Sequence, residues 1–470
     1  MRQLSGIDTG FLTMETPTTY GHVSSVLVLD PEGSEEPFRN RVRDVMQRRL
    51  HLLGPLRWRL VDVPFGIDRP YWVNDPAFDL DFHLRDVTLT PPGTGDQLAA
   101  LVSRLVARPL DRTRPLWEAY VIDGLEGGLV ALLTKMHHAA VDGVAGLELL
   151  TALMDIEPEP RVVEPPEREW EPERVPGEWE MLSRGYLGLL RRPERLWRAQ
   201  RHAWKALVGR GGPAARPLTG GPSGAFLRLP PSPAPHTSFN RAITGQRRVA
   251  FGTLSLDEVK AVKNAHGVTV NDVILALCTG ALRRWLVGHE ELSDDPLLAV
   301  VPVSVRTGEE GDEGFGNRVS MMVVPLPTHE AEPHEQLRQV HESAKDAKER
   351  FGAVPADLLQ DFSVLATPAL MAQAARVVGT LRIADFVNPP ANLVVSNVPG
   401  PDFPLYCAGS RVVAMYPVSA IGDGMGLNIT VVSYLGVLHF GLVACPELVP
   451  DVPKLVGYLA DALDDLKPAA

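Results

Sequence analysis

The chain has 470 residues, of which 45% are hydrophobic, and its formal net charge is -12. This length allows two or three domains with sizeable cores, and the acidic balance argues against nucleic acid as a partner because phosphate binding needs clustered Lys and Arg. Three widely spaced cysteines, Cys278, Cys407 and Cys445, favour a reducing compartment without a disulfide framework.

Strand-like and helix-like patterns alternate along the first part of the chain. HVSSVLVLD (22–30) is apolar and β-branched, which predicts a strand, and FRNRVRDVMQRRL (38–50) has helical spacing. GLVALLTKM (128–136) is a continuous apolar run of strand length, and VAGLELLTALMD (144–155) has the pattern of a helix. The alternation predicts a layered α/β domain over residues 1–155.

Two adjacent histidines, His137 and His138, end the apolar run 128–136, and Asp142 and Gly143 follow shortly after. Successive side chains of a strand point to opposite faces, so only one imidazole can face a given cavity. A carboxylate at the start of a helix can accept from free N–H groups, and glycine permits a close approach of the backbone. The pattern suits a general base, a histidine that takes a proton from a bound hydroxyl or amine.

Two other interpretations of the histidine pair stay open at this point. Both imidazoles are compatible with an ordinary structural role as partly buried side chains. A metal site has less support, because no third Cys, His or Asp ligand stands at a characteristic spacing and the HExxH motif is absent from the sequence.

The composition changes sharply after the first predicted domain. Residues 156–180 hold nine acids, three arginines and six prolines, which indicates an exposed linker. Residues 182–210 hold eight Lys or Arg and one Glu, with Trp and Leu interleaved, and a Gly/Pro-rich loop extends to residue 235. The basic stretch is typical of helices that lie on anionic membranes, and the other interpretation is a solvated helix packed on the acidic linker.

The alternation of strands and helices resumes after residue 248 and predicts a second domain over residues 236–470. A helix is predicted for 270–286, which has apolar residues along one face. Two strands and a hairpin complete the pattern: LAVVPVSVR (298–306), SMMVVPLP (320–327), and the pair LNITVVSY and VLHFGLVAC around Leu435-Gly436.

The spacing HHxxxDG resembles the signature of the acyltransferases related to chloramphenicol acetyltransferase and the peptide-synthetase condensation domains. Other segments resemble blocks of one branch, the bacterial wax ester synthase/diacylglycerol acyltransferase family, from residue 4 to about 445 except for the insert at 156–230. These segments are LSGIDTGFLTMETPTTYGHV (4–23), RPLDRTRPLWEAYVIDGL (108–125), TSFNRAITGQRRVA (237–250), VTVNDVILALCTGALRRWL (268–286), VPVSVR (301–306), GN (316–317) and SNVPGP (396–401).

The resemblance implies an α/β fold of two chloramphenicol acetyltransferase-like domains with an active-site channel between them. It implies transfer of a fatty acyl chain from acyl-coenzyme A, a substrate, to diacylglycerol or a long-chain alcohol, with no cofactor. His138 is the implied general base. We expect no acyl-enzyme, because the sequence has no GxSxG motif and no cysteine near the histidines.

The residues around the implied base are expected to support it. We expect His137 to face the other side of the strand and to be structural. Asp142 and its neighbour Gly143 are expected to organise the loop after the histidines. The resemblance implies that Arg306 pairs with Asp142, since a bidentate bridge would lock that loop; the alternative is a strand-end arginine in solvent.

Two further motifs of the resemblance each have two interpretations. Asn271, in the Asn271-Asp272 pair, either donates to the oxyanion of the reaction or caps its helix. Pro115, Leu116 and Trp117 either line an acyl tunnel or belong to the core.

Three other functions compete with acyl transfer to a lipid alcohol. A condensation-type enzyme with a carrier-bound or amine acceptor conflicts with the Pro-Leu-Trp and Asn-Asp motifs. A membrane glycerol-phosphate acyltransferase, suggested by HxxxxD from His137 to Asp142, would need a hydrophobic span. A catalytically silent lipid-binding protein of droplets conflicts with the presence of His138.

The expected location follows from two absences in the sequence. The N-terminus lacks the apolar region of a signal peptide, and no run reaches the roughly 18 apolar residues of a membrane-spanning helix. We expect a cytoplasmic protein, in peripheral contact with the inner face of a membrane or with lipid droplets.

Overall fold

The structure is a computed structural model. It describes residues 1–31, 33, 35–140, 152–165, 170–191, 234–304, 319–352 and 368–467. The strands run in this order: β1 (Arg2–Gln3), β2 (His22–Asp30), β3 (Trp58–Val61), β4 (Tyr71–Asn74), β5 (Leu84–Thr88), β6 (Trp117–Asp123), β7 (Val130–His137), β8 (Met154–Asp155), β9 (Arg248–Ser255), β10 (Leu297–Ser304), β11 (Val319–Leu326), β12 (Leu393–Val398), β13 (Tyr406–Cys407), β14 (Ser410–Val418), β15 (Leu427–Tyr434) and β16 (Val437–Ala444). The helices are α1 (Gly6–Thr13), α2 (Phe38–Arg49), α3 (Leu80–His83), α4 (Gly95–Val106), α5 (Glu178–Arg191), α6 (Leu256–His266), α7 (Val270–Gly288), α8 (Pro333–Gly352), α9 (Pro368–Thr380) and α10 (Val452–Leu466).

A seven-stranded sheet forms the centre of the N-terminal half, in the order β5-β6-β7-β2-β14-β13-β8. Helix α2 covers one face, where its apolar stripe packs on the inward side chains of β2, β6 and β7. Helix α4 covers the other face, with apolar residues of β9 and β16 beside it. Both faces are buried, which explains the nearly continuous apolar sequence of β7.

A six-stranded sheet forms the centre of the C-terminal half, in the order β11-β10-β12-β15-β16-β9. Strand β12 is parallel to both of its neighbours, and the other pairs are antiparallel. The predicted hairpin is confirmed: β15 and β16 meet at Leu435 and Gly436, whose φ angles of 47° and 78° suit a two-residue turn. Helices α6, α7, α8 and α10 enclose the larger apolar core.

Helix α7 lies at the centre of that core. Thr269 is its N-cap, and it forms a capping box with Asp272, so the helix begins with two of its free N–H groups satisfied. The predicted helix at 270–286 is confirmed.

None of the described helices is by itself long and apolar enough to cross a membrane. Helices α6 and α7 together have the required length and composition, but the pair is bent by 102°.

The C-terminal half of the chain contributes two strands to the sheet of the N-terminal half. Strands β13 and β14 come from the C-terminal half but complete the N-terminal sheet, where β14 pairs with β2. Arg41 of α2 fixes the turn between them by donating to the Ala408 carbonyl (2.6 Å) and to Ser410 Oγ (2.9 Å). The division into residues 1–155, 156–235 and 236–470 does not anticipate this crossover, because the pairing joins segments distant in sequence.

A second set of contacts joins the halves near the start of β2. Arg247 donates to the carbonyl of Thr18 (2.6 Å), and its guanidinium lies over the ring of Tyr20, 4.7 Å from the centroid. The Val249 N–H donates to Ser103 Oγ (2.9 Å). The contacts of Arg247 fix the segment that leads into β2 against the C-terminal half, and the contact of Val249 does the same for α4.

The predicted elements at 22–30, 38–50 and 128–136 are confirmed. The helix predicted at 144–155 lies outside the described residues up to 151, and its end is wrong, because Met154–Asp155 is strand β8, paired with β13. Helix α5 begins at Glu178, inside the stretch predicted to be linker. In both places a tertiary contact overrides the local pattern: β8 needs its partner strand, and α5 packs on the turn Pro64–Gly66.

A buried ion pair holds α2 to β8 and gives a test of this packing. Arg49 Nη2 lies 2.9 Å from both carboxylate oxygens of Asp155, and the side chains are 2% and 4% exposed. Asp155→Asn leaves a buried guanidinium without its counter-charge, so we expect the free energy of unfolding to fall by about 3–5 kcal/mol. Urea unfolding measures the change.

The matched control is Asp44→Asn, which breaks the solvent-exposed pair Asp44–Arg48 on the same helix. Its loss should not exceed about 0.5 kcal/mol. If Asp155→Asn cost no more than the control, the buried pair would not hold α2 to the sheet as described.

Candidate active site

His138 lies immediately beyond β7, at the end of the N-terminal sheet. The preceding residue, His137, still pairs with His22 of β2, and the His138 N–H donates to the Gly21 carbonyl (2.9 Å). The half-buried imidazole stacks on Phe11 of α1, with ring centroids 4.8 Å apart and an interplanar angle of 15°. Strand pairing thus fixes the backbone of His138, and the aromatic ring fixes its side chain.

His137 is buried, with 1% exposure, and both nitrogens of its ring contact other residues of the fold. Nδ1 accepts a hydrogen bond from the Ala139 N–H (3.0 Å), so a neutral ring carries its proton on Nε2. Nε2 lies 3.2 Å from Glu15 Oε1, at ion-pair distance but without the alignment of a good hydrogen bond. The contact of Nδ1 fixes the turn that follows His138.

Glu15 contacts both His137 and Gly21, and the sequence motifs did not identify it as a site residue. Its carboxylate accepts from the Gly21 N–H (2.7 Å) and from Arg112 Nη2 (2.5 Å), in addition to its contact with His137. Burial alone would raise the pKa of Glu15, but His137, Gly21 and Arg112 together lower it to about 2. The carboxylate is therefore a permanent anion behind the histidine pair.

Gly21 is needed at its position because of space. An added Cβ would lie 2.5 Å from His137 Nε2, closer than real side chains approach. The same residue donates its N–H to Glu15 and accepts from the His138 N–H. Gly21 thus connects the carboxylate of Glu15 to the backbone of His138.

The environment of His138 keeps its imidazole neutral. Burial, and then the proximity of His137, lower the pKa of His138 to about 4. The ring is therefore unprotonated at pH 7. An unprotonated imidazole nitrogen is what a general base needs. Nearby, burial lowers the pKa of His22 to about 3, with Lys135 adding to the effect.

The Pro-Leu-Trp motif lies on β6 and on the segment before it, and its side chains point to different faces of the sheet. Leu116 packs in one cluster with Phe11 and Ala139, and its carbonyl accepts from the His137 N–H (3.0 Å). Pro115 forms an isolated bridge with Arg59. Leu116 therefore helps to fix the end of β7 and the turn that follows it, through the hydrogen bond from His137 and its packing on Ala139.

Trp117 faces the α2 side of the sheet. Its Nε1 donates to the Leu56 carbonyl (2.7 Å), and its ring stacks on His83 at 4.5 Å. It borders an apolar cavity of about 20 Å³, room for about one water molecule. These are the surroundings of a core residue. That the Pro-Leu-Trp motif lines an acyl tunnel stays a prediction.

The Asn271-Asp272 pair lies in the first turn of α7. Asp272 Oδ2 accepts from the Thr269 N–H (2.9 Å) and lies 2.8 Å from Nδ1 of His341. The interpretation of Asn271 as a helix cap is wrong, because Thr269 is the cap. The role of Asn271 as a donor to the oxyanion stays a prediction.

Three predicted site residues, Asp142, Gly143 and Arg306, lie outside the described residues, so the proposed pair between Asp142 and Arg306 stays a prediction. Across the part of the chain that the structure describes, no group of three His, Cys, Asp or Glu side chains is placed to hold a metal ion. The expected lack of a resident metal or cofactor rests on the sequence.

Comparison with known proteins decides the family. The profile of the wax ester synthase/diacylglycerol acyltransferase catalytic domain matches residues 4–274, and that of the family's C-terminal domain matches residues 315–467. The chain belongs to this family. A putative diacylglycerol O-acyltransferase of Mycobacterium tuberculosis is 35% identical over 471 residues, which span 99% of this chain and 90% of the relative. The family recognised from the sequence motifs is confirmed, and the protein is an acyltransferase.

Solved structures agree with this assignment. The wax ester synthase/diacylglycerol acyltransferase from Marinobacter aquaeolei VT8 matches with a TM-score of 0.70 and 28% identity, over 99% of this chain and 98% of that chain. The starter condensation domain of rhizomide synthetase matches with a TM-score of 0.52 and 14% identity, over 99% and 94% of the two chains. The second match shows the fold alone, and it confirms the predicted fold class of two related α/β domains.

Replacing Gly21 with alanine should displace the imidazole of His137. The new Cβ would overlap the His137 ring, which must then move together with its contact to Glu15. We expect the free energy of unfolding to fall by about 1–3 kcal/mol, as for other overpacked positions, and acyl transfer to slow. Urea unfolding and the initial rate of coenzyme A release measure the two effects.

Gly10→Ala in α1 is the matched control, since a Cβ added there meets no atom within 4 Å. It should leave the rate near the wild-type value and raise the free energy of unfolding by up to about 1 kcal/mol, because alanine favours a helix more than glycine does. Similar behaviour of the two alanine variants would contradict the packing of His137 against Gly21.

Proposed function

We propose that this acyltransferase transfers a fatty acyl group from acyl-coenzyme A to the hydroxyl of diacylglycerol or of a long-chain alcohol, and that His138 is its general base. The family assignment supports the class of reaction. The observation that carries the proposal for His138 is its neutral, half-buried imidazole, stacked on Phe11 and joined by its backbone to Gly21.

The proposed reaction is one direct displacement at the thioester carbonyl. His138 removes the hydroxyl proton of the acceptor while the acceptor oxygen attacks the carbonyl carbon. When the tetrahedral intermediate collapses, the carbon–sulfur bond breaks and an ester forms. Coenzyme A leaves as a thiolate and takes the proton back from the imidazolium of His138, so the enzyme is returned to its starting state.

The charges behind His138 support a role in this step. The imidazolium that forms during transfer is positive, and the carboxylate of Glu15 is an anion joined to the backbone of His138 through Gly21. An imidazolium is stabilised by negative charge in a medium of low dielectric. We infer that Glu15 positions the base and offsets part of its charge, that His137 helps to position it, and that neither residue exchanges protons with the substrate.

Peripheral contact with a membrane or a lipid droplet is part of the proposal, with the protein on the cytoplasmic side. Diacylglycerol is nearly insoluble in water, so the enzyme must meet it at a lipid surface. The basic stretch 182–210 is one candidate for this contact, and its first residues, up to 191, continue the described helix α5.

The reaction is tested by product analysis. Purified protein is incubated with palmitoyl-coenzyme A and either diacylglycerol or hexadecanol, and the lipids are identified by mass spectrometry. We expect triacylglycerol, wax ester or both, with release of one coenzyme A for each ester. Product from an amine acceptor alone would favour a condensation-type enzyme, and no coenzyme A release with any acceptor would favour a silent lipid-binding protein.

His138→Ala should abolish transfer without unfolding the protein. Loss of a positioned base typically costs 10²–10⁴-fold in rate, whereas the ring of His138 makes one described stacking contact and is not part of the Glu15 network. Initial rates of coenzyme A release and thermal unfolding of the same preparation measure the two effects.

His137→Ala is the comparison variant. It removes the contact with Glu15 and the hydrogen bond to Ala139, so it should lower the unfolding temperature more than His138→Ala and the rate less. The assignment of the base would be wrong if the His137 variant were inactive while the His138 variant kept near wild-type turnover.

A further inference from the structure

A small polar cavity lies where the start of β2 meets the C-terminal half of the chain. Its volume is about 10 Å³, enough for one water molecule and no more. Both halves supply residues that line this interface cavity, among them Tyr20, His22, Ser24, Arg247, Ser419 and Ala420.

Two residues that line the interface cavity have a buried polar atom to satisfy. Nδ1 of His22 and Oγ of Ser24 are buried, and neither has a hydrogen-bond partner among the described residues. Buried polar atoms of folded proteins are nearly always paired, because an unpaired one has lost its hydration without compensation. Cavities that stay dry are lined by apolar groups, whereas a polar cavity of sufficient size holds water.

The two ring nitrogens of His22 have different roles. Nε2 lies 3.0 Å from the carbonyl oxygen of Val106, which can only accept, so Nε2 carries the proton of the neutral ring. Burial, and then the proximity of Lys135, lower the pKa of His22 to about 3, so the ring is neutral at pH 7. Nδ1 is therefore an acceptor that needs a donor.

The hydroxyl of Ser419 can accept a further hydrogen bond. Its Oγ lies 2.9 Å from Oγ1 of Thr430, and Thr430 donates its own proton to Oδ1 of Asn428 (2.7 Å). Ser419 must therefore donate to Thr430, which leaves lone pairs of its oxygen available as acceptors.

A water molecule fits this set of partners better than an ion does. It can donate to Nδ1 of His22 and to Oγ of Ser419 and accept from Ser24, which gives the three hydrogen bonds typical of buried water. The guanidinium of Arg247 also borders the cavity, but backbone carbonyls already accept from it. An anion would face the acceptor nitrogen of a neutral imidazole, and a cation would face Arg247.

The interface cavity is close to the backbone that holds His138. The Gly21 carbonyl, which accepts from the His138 N–H, lies in one peptide plane with the nitrogen and Cα of His22. The ring of His22 stacks on Tyr20, with centroids 5.4 Å apart, and Arg247 lies over the other ring. A His22 ring that is held at both nitrogens therefore limits the movement of the Gly21 carbonyl.

We propose that the interface cavity binds one ordered water molecule, and that His22 with this water is a positioning residue for His138, acting through the Gly21 carbonyl. The water joins His22 to Ser419, so the C-terminal half takes part in fixing the backbone of the general base. Neither His22 nor the water touches the substrate. The effect on the rate rests on the proposed function, whereas the presence of the water does not.

A crystal structure of the wild type without substrate tests the site directly. We expect electron density for one water within hydrogen-bond distance of His22 Nδ1, Ser24 Oγ and Ser419 Oγ. In the variant Ser24→Val the water should be absent, because the variant lacks the hydroxyl and a methyl group occupies the room. No density in the wild type, or water at the same place in the variant, would overturn the proposal.

The matched control is Ser25→Val, the same replacement at the next residue of β2. Successive side chains of a strand point to opposite faces, and Ser25 shares the face of Leu27 and Leu29, which pack toward α2. Valine suits a strand at both positions. The control should keep the water and the wild-type rate.

Nuclear magnetic resonance of protein labelled with nitrogen-15 in histidine reads the same contact in solution, and the His22→Gln variant assigns the resonances. We expect the proton of His22 on Nε2 and a hydrogen-bonded Nδ1. In Ser24→Val the Nδ1 resonance should move to higher frequency, as it does when an imidazole nitrogen loses its donor. A proton on Nδ1 in the wild type, or an unchanged resonance in the variant, would overturn the proposal.

Kinetics with palmitoyl-coenzyme A and hexadecanol separate positioning from a merely structural role. Ser24→Val should lower kcat by roughly threefold to tenfold with KM near the wild-type value, since a misplacement of about 1 Å costs about a hundredfold and this one is smaller. An unchanged kcat, a change in KM alone or an equal loss in Ser25→Val would overturn the positioning role. Absence of coenzyme A release by the wild type would contradict the proposed function and leave the water site standing.

Discussion

The peptide groups of Gly21 hold the candidate active site together. The N–H of this residue donates to the partly buried carboxylate of Glu15, and its carbonyl accepts from the N–H of His138. The space where a side chain would stand is filled by the ring of His137. Because Glu15 follows α1 closely, the same contacts also place Phe11 under the imidazole of His138. A glycine, a partly buried carboxylate and two histidines therefore depend on one another.

The site also depends on the docking of the two halves of the chain. The segment from α1 to β2 carries Glu15 and Gly21, and it is held from the C-terminal half by Arg247, which donates to Thr18 and lies over Tyr20. Strand β14 crosses from the C-terminal half to pair with β2 directly. An error in this docking would displace the loop behind His138 before it touched the histidine itself, so stability and catalysis are coupled here.

Local patterns were sufficient to predict much of the fold. Helices α2 and α7, strand β2 and the β15–β16 hairpin follow from periodicity and turn residues, since each is determined mostly by its own sequence. The family motifs placed His138 at the centre of the site. The capping box of α7 was visible as Thr269 followed by Asp272 three residues later, and with that signal Asn271 would not have been considered as the cap.

What the sequence did not predict depends on partners far away along the chain. Met154–Asp155 is a strand because β13 pairs with it, and the local apolar pattern there favours a helix. Glu15 has no distinguishing spacing of its own, and its role is defined by Arg112 and His137, which come from other elements. The packing of α9 on the turn Pro64–Gly66 likewise forms only in the folded protein. Tertiary contact decides each of these cases.

The central claim is that the fold presents His138 as a neutral imidazole and holds His137 with its proton on Nε2. Nuclear magnetic resonance of protein labelled with nitrogen-15 in histidine measures both properties, and the His138→Gln variant assigns the resonances. The account predicts that His138 titrates with a pKa of about 4 and that Nδ1 of His137 is unprotonated at pH 7. A pKa of His138 near the ordinary histidine value of about 6.5, or a proton on Nδ1 of His137, would contradict it.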